Sequence, residues 1–134
     1  MDRITIKKRG ELMSKVRNKN TDIELLLKRK LRGLGIKYSA NYKLPGKPDF
    51  ILKKEKIAIF CDGDFWHGKN FKYEKEKYSL FWKEKIQTNI KRDKVVDKQL
   101  KTLGWKTLRF WGTDIHSDIQ FCIDKVLEEI SRID

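Results

Sequence analysis

Asp49 and Asp62 close the two ends of one short stretch, DFILKKEKIAIFCD, in which two apolar runs flank a tight turn at Lys54 and Glu55. If the runs are the arms of a hairpin, the start of the first strand lies beside the end of the second, and both carboxylates meet at one edge of a sheet. Two like charges that close are costly unless one is protonated or a cation lies between them. Hard oxygen donors of this kind suit Mg2+, which keeps several waters and takes one or two carboxylates together with substrate phosphate oxygens. In a basic chain, that chemistry is metal-assisted hydrolysis of a phosphodiester. His67, one of two histidines, lies four residues after Gly63 in the segment leaving the second run. Its titration near neutral pH would let it deprotonate a water. The same residues have plainer uses, because Asp49 after Pro48 and Asp62 before Gly63 are ordinary turn residues and a histidine beside Trp66 can simply be packed.

Those side chains need elements to hold them. Thr21 with Glu24 reads as a capping box, and Ile23, Leu26, Leu27, Leu31 and Leu34 recur at helical spacing, predicting a helix over 21–33 that closes near Gly33 and Gly35. Residues 36–43, 49–53 and 56–61 read as strands, the first two separated by Pro45, Gly46 and Pro48. The segment 62–78 has no period and reads as a long loop, which in a compact domain usually carries function. A helix follows from Ser79 to about Leu103 with Gly104 as its stop, then a strand over 105–111, then a helix over 115–133 with Ile119, Cys122, Ile123, Val126, Leu127 and Ile130 on one face. A long helical crossover between the apolar third strand and the 105–111 strand favours a parallel pair beside an antiparallel hairpin. The expected fold is therefore α/β, a mixed central sheet flanked by helices on both sides.

The chain has 134 residues, with 32 Lys and Arg against 19 Asp and Glu, a formal net charge of +13. Residues 1–60 carry 17 basic and 6 acidic side chains, residues 61–110 carry 13 and 7, and residues 111–134 carry 2 and 6. A polyanion is thus the expected partner of the first 110 residues, nucleic acid first and an anionic membrane second, with the last helix as outer scaffold. Lysine-rich composition also occurs on surfaces that bind nothing. No apolar run is long enough to cross a bilayer, and MDRITIKKRG lacks the apolar core of a signal peptide, so a cytoplasmic protein is expected. Cys61 and Cys122 are too few for a disulfide framework and are not spaced as a zinc pair.

Five segments in order, MSKVRNKNTDIE (13–24), LPGKPDFIL (44–52), AIFCDGDFWHG (58–68), FWKEKIQTNIKRD (81–93) and LGWKTLRFW (103–111), resemble the Vsr family, the very short patch repair endonucleases. The resemblance implies a variant of the PD-(D/E)XK or restriction-endonuclease-like core over residues 1–134 as one domain. Residues 1–12 would form an arm and 115–133 a scaffold helix. It also implies a Mg2+-dependent cut in one strand of double-stranded DNA, with Mn2+ as a substitute, by a monomer working at the nucleoid. By the family pattern Asp49 is the principal metal ligand, the Cys61 backbone carbonyl a second, and Asp62 falls on a further catalytic and metal position. His67 falls on the base, and Glu24 and Asp93 on residues that position water or histidine; Glu24 also serves as a capping-box residue. Phe65, Trp66 and Trp82 match aromatics that wedge into the duplex, as such side chains can to offset unstacking. Lys85, Asn89 and Arg92, at helical spacing, with Met13 and Lys15, complete the expected DNA contacts. Core packing is the competing use for Trp82, and an ordinary solvated face the competing use for the polar helix residues.

The chain also departs from the pattern. Asp62, Gly63 and Asp64 occupy the place of the superfamily's lysine, which the Vsr branch also does without. Where relatives hold a structural zinc this chain has Asp64, Gly68, Lys69 and Gly112 to Asp114, so zinc is expected to be absent, and His116 does not restore its ligands. The loop carrying His67 would then be held by packing or by DNA. These departures keep open a second reading, site-specific cleavage in a restriction or homing system. A third is a DNA-binding module without catalysis.

Overall fold

The computed structural model describes residues 22–40, 42–64 and 67–133. The first described helix, α1 (Asp22–Gly33), has Asp22 and Glu24 in its first turn and Lys30 and Arg32 in its last, each sign favourable to the helix dipole there. It buries Ile23, Leu27 and Leu31 and ends where Gly35 turns left-handed (φ 78°) and the Ile36 N–H returns to the Leu31 carbonyl. Thr21, the expected cap, lies outside the described residues, as does the 1–12 arm.

Strands β1 (Phe50–Leu52) and β2 (Ile57–Asp62) form the expected antiparallel hairpin, turning at Lys56 (φ 57°). Strand β3 (Lys106–Trp111) then pairs with β2 in parallel, from Ile57 beside Lys106 to Asp62 beside Trp111, in the order β1-β2-β3. The crossover contains a helical turn α2 (Phe71–Glu74), a 3-10 turn (Lys75–Lys77) and α3 (Leu80–Thr102), which the Ser79 hydroxyl caps by accepting the Trp82 N–H at 3.4 Å. After β3 come α4 (Gly112–Ser117) and α5 (Ile119–Ile133).

Three expectations need correction. The described residues of 36–43 do not form a strand: among them only Ser39 bridges to Ile51, through bonds of 2.9 and 2.8 Å. With β1 only three residues long, there is little edge to pair with. Gly46 and Lys47 also both take positive φ (77° and 50°) before Pro48, which bends the chain off the sheet. The segment 62–78 is not irregular throughout, since Phe71 anchors α2 and lies at 6.4 Å in a parallel stack with Tyr78. One buried aromatic in a single turn leaves no period to read. The last helix is broken at Asp118 (φ −150°), whose carboxylate accepts the Phe121 N–H at 3.3 Å and so starts α5 afresh.

The sheet's two faces are covered separately. Phe50, Leu52, Ile57 and Ile59 pack with α1 and with Cys122, Ile123 and Val126 of α5. On the other face Ile51, Ala58 and Phe60 pack with Val96 and Leu100 of α3. Alternation along β2 thus sends Phe60 and Asp62 toward α3. The mixed sheet with helices on both sides is the one the sequence predicts, and it is consistent with a restriction-endonuclease-like core. No described helix is long and apolar enough to cross a membrane.

Candidate active site

Five acid–base residues singled out from the sequence gather at the end of the sheet where β1 starts and β2 stops. Asp49 lies just before β1, its N–H on the Ile59 carbonyl (3.1 Å) and its carboxylate accepting the Cys61 N–H at 2.6 Å. Burial pushes its pKa up to about 7; the Cys61 N–H offsets part of this and the neighbouring Glu24 adds to it. Glu24, buried on α1, accepts the Lys28 ammonium at 2.7 Å. The two carboxylates open onto a cleft of about 430 Å³ whose wall includes Lys28, Tyr42, Lys43 and Lys47. Burial, with the nearby Asp49, Glu24 and Asp62 charges, pushes the Cys61 thiol well above its ordinary value. The thiol stays neutral, which leaves the peptide as the useful donor at this position.

Asp62, Asp93 and His67 form a second group around Arg109. His67 Nδ1 and Asp93 Oδ2 are 2.6 Å apart, while His67 Nε2 faces Asp62 Oδ1 at 3.8 Å. Burial lowers the histidine's pKa, but the Asp93 hydrogen bond and the charges of Asp62 and Asp93 outweigh it, and the net shift is upward. Asp62, 5% exposed, is raised by burial and pulled back by His67 and Arg109. Arg109 donates to both Asp62 oxygens at 3.3 and 3.2 Å. Burial would weaken the guanidinium's charge, but Asp62 and Asp93 hold it protonated. The Asp62 charge also raises Asp49, so the two groups act on each other.

The loop between β2 and α2 is tied to the start of α4. Asp64 accepts the Thr113 hydroxyl at 2.7 Å and the Thr113 N–H at 3.3 Å, and Lys69 donates to the Thr113 hydroxyl and pairs with Asp64 and Asp114 at 4.0 and 3.8 Å. These are the positions at which a zinc was expected to be missing, and a polar clamp connects them. Within the same loop the His67 N–H reaches the Gly63 carbonyl at 3.1 Å. The expectation of packing or DNA alone left that clamp out.

The expected DNA contacts divide. Trp82 is half-buried against Phe71 and Ile86, its ring edge-on to that of the exposed Phe81 at 4.9 Å. Lys85 is exposed with its ammonium 5.8 Å from the Phe81 ring; Asn89 is partly buried and Arg92 exposed on the same helix. Phe65, Trp66, Met13 and Lys15 lie outside the described residues. Sequence reasoning missed Lys28, Asp97 and Arg109. An arginine set between Leu108 and Phe110 in a strand was the available signal for the last, but only the β2–β3 register brings it against Asp62.

With this geometry in place, the chain can be set beside known proteins. The family described as DNA mismatch endonuclease Vsr matches residues 1–73. The chain belongs to the Vsr family. It is 40% identical over 134 residues to the type II nicking enzyme V.NmeDIP of Neisseria meningitidis serogroup C, covering 97% of this chain and 90% of that one. To the type II nicking enzyme V.HpaIIP of Haemophilus parainfluenzae it is 43% identical over 120 residues, 86% and 85% of the two chains. To the DNA mismatch endonuclease Vsr of Escherichia coli K12 it is 35% identical over 107 residues, 77% and 68%. As a Vsr-family protein this chain is a DNA endonuclease, which sets aside the reading as a DNA-binding module without catalysis.

Proposed function

We propose that this endonuclease nicks one strand of duplex DNA in a Mg2+-dependent reaction, with a T:G mismatch as the substrate and very short patch repair as the task. The observation that carries the reading is the meeting of a carboxylate-oriented histidine and the Asp49–Glu24 carboxylate pair at one end of the sheet. The donors fit a hard divalent ion. Asp49 is half-buried beside the buried Glu24 with its ionised form disfavoured, a penalty that a divalent cation would remove. Asp49 and the Cys61 carbonyl would hold the ion, with Asp62 close enough for its charge to act on the same site. Bound there, the ion would draw charge from the phosphate oxygens. The group of Asp62, His67 and Asp93 has ligand atoms within 4.8 Å of one another. Arg109 already donates to both Asp62 oxygens and Asp93 holds His67 Nδ1, so we assign the group to proton transfer. With Nδ1–H donated to Asp93, His67 keeps Nε2 for the proton of the attacking water, and Asp62 faces the imidazolium that results. Lys43 and Lys47 at the cleft hold the DNA backbone, and Trp82, with Phe65 and Trp66, meets the unstacked bases.

The test is a Mg2+ titration of nicking on paired T:G and matched duplexes. Asp49→Asn and His67→Ala should each lose nicking, the histidine variant by about 10²–10⁴-fold, while DNA binding stays largely intact. Undiminished nicking by either variant would sink the mechanism. The names of the two nicking-enzyme relatives favour a second reading, site-specific cleavage in a restriction or homing system. Equal cutting of matched DNA at one sequence would select it.

A further inference from the structure

Arg109 has no assigned part in the reaction, yet it touches both carboxylates that flank His67. It pairs with Phe60 across the β2–β3 ladder, so its side chain leaves the sheet on the α3 face beside Phe60 and, two residues on, Asp62. The guanidinium carbon lies 4.0 Å from the Phe60 ring centroid, a cation–π contact. Nε donates to Asp97 at 2.9 Å, one η nitrogen reaches Asp62 at 3.2 Å and Asp93 Oδ1 at 3.5 Å, and the other reaches the Asp93 carbonyl at 3.5 Å. Asp93 and Asp97 stand one turn apart on α3, so three carboxylates converge on one cation that is mostly buried. An ammonium is a point charge and cannot span them; the planar fork can.

We propose that Arg109 is the positioning residue of the proton-transfer group, fixing His67 through Asp93 and holding Asp62 against the imidazole. The two oxygens of Asp93 divide the work. Oδ1 faces Arg109 and Oδ2 holds His67 Nδ1, so the guanidinium sets the carboxylate plane and the carboxylate sets the ring. Taking Arg109 away frees Asp93 to rotate and leaves Asp62 buried without its cation. The nicking arm of the test rests on the function proposed above, whereas the structural arm stands apart from it.

The structural arm is the His67 tautomer, read by ¹⁵N NMR on the full chain in chelator without DNA, with His116→Gln separating the two histidines. Wild type should hold its neutral-form proton on Nδ1, and Arg109→Met should give a mixture. In nicking, Arg109→Met should lose about 10–100-fold in kcat with KM for DNA unchanged, and Arg109→Lys should recover only part of that. Should Arg109→Met fail to fold, Asp97→Asn, which removes only the Nε anchor, should shift both readouts in the same direction by less. An unshifted tautomer and kcat in Arg109→Met, or in Asp97→Asn if that carries the test, overturns the proposal, as does full activity in Arg109→Lys. A wild type that does not nick in Mg2+, or a His67→Ala variant that does, overturns the functional reading alone and leaves the tautomer result to decide the role of Arg109.

Discussion

Asp49 is a carboxylate that the fold makes reluctant to ionise. Its folded pKa of about 7 stands above the ordinary 3.8, so the stability it lends is fully present below pH 3.8 and is lost as the pH rises through about 7. In chelator, Asp49→Asn should therefore raise the melting temperature over wild type by more at about pH 8 than at about pH 5. An equal gain at both would show that the burial is not felt. Mg2+ should narrow that gap at the higher pH, because an ion that binds only the folded chain stabilises it. At this scale much of the site was legible. Asp49, Asp62 and His67 follow from hairpin geometry and side-chain chemistry, while Glu24 and Asp93 came from the family resemblance. Arg109 was not legible, because the parallel register brings it to a partner, Asp62, that lies 47 positions away, and no local pattern carries that distance.

The elements show why the loop around His67 keeps its place. Gly68 sits at φ 70°, and a Cβ there would lie 2.7 Å from Ile90 Cδ1 and 2.9 Å from Ile86 Cγ2. Gly68→Ala should cost about 1–3 kcal/mol of stability and, by lifting the loop off α3, lower kcat as well. Chemical denaturation with a parallel nicking assay checks both, and wild-type values in the two would mean that the loop does not depend on this contact. Helix boundaries were mostly readable, since Ser79, Gly35 and Gly104 are local signals that act within one turn. Residues 36–43 were not, because an alternating pattern says that a strand is possible but not whether the neighbouring edge is long enough to receive it. The break at Asp118 had a signal, an aspartate in capping position, which the continuous apolar face of 115–133 outweighed.

Across the whole molecule the charge of +13 is not spread evenly, and the cleft that holds Asp49 and Glu24 also has Lys43 and Lys47 in its wall. On the function proposed above, lysines there would draw in phosphates, and a cation in the recess would let a phosphate settle close. Lys43→Gln and Lys47→Gln should each lower the slope of log K against log salt by about 1, measured by equilibrium binding to duplex DNA in chelator. Slopes equal to wild type would place the DNA elsewhere. Charge counting located the basic stretch but not the cleft, which depends on the turn at Gly46 and Lys47.

The ladder between β2 and β3 also says something about when the enzyme comes into being. Contacts this distant along a chain close slowly, after helices and hairpins have formed. The hairpin can set Asp49 beside the end of β2 early, and α3 can form around Asp93 by itself, but neither meets Arg109 until β3 docks. A half-folded copy therefore lacks the grip on Asp93 and Asp62. The ability to cut would be the last property the chain acquires, a safeguard for a nuclease that folds in the presence of its own substrate.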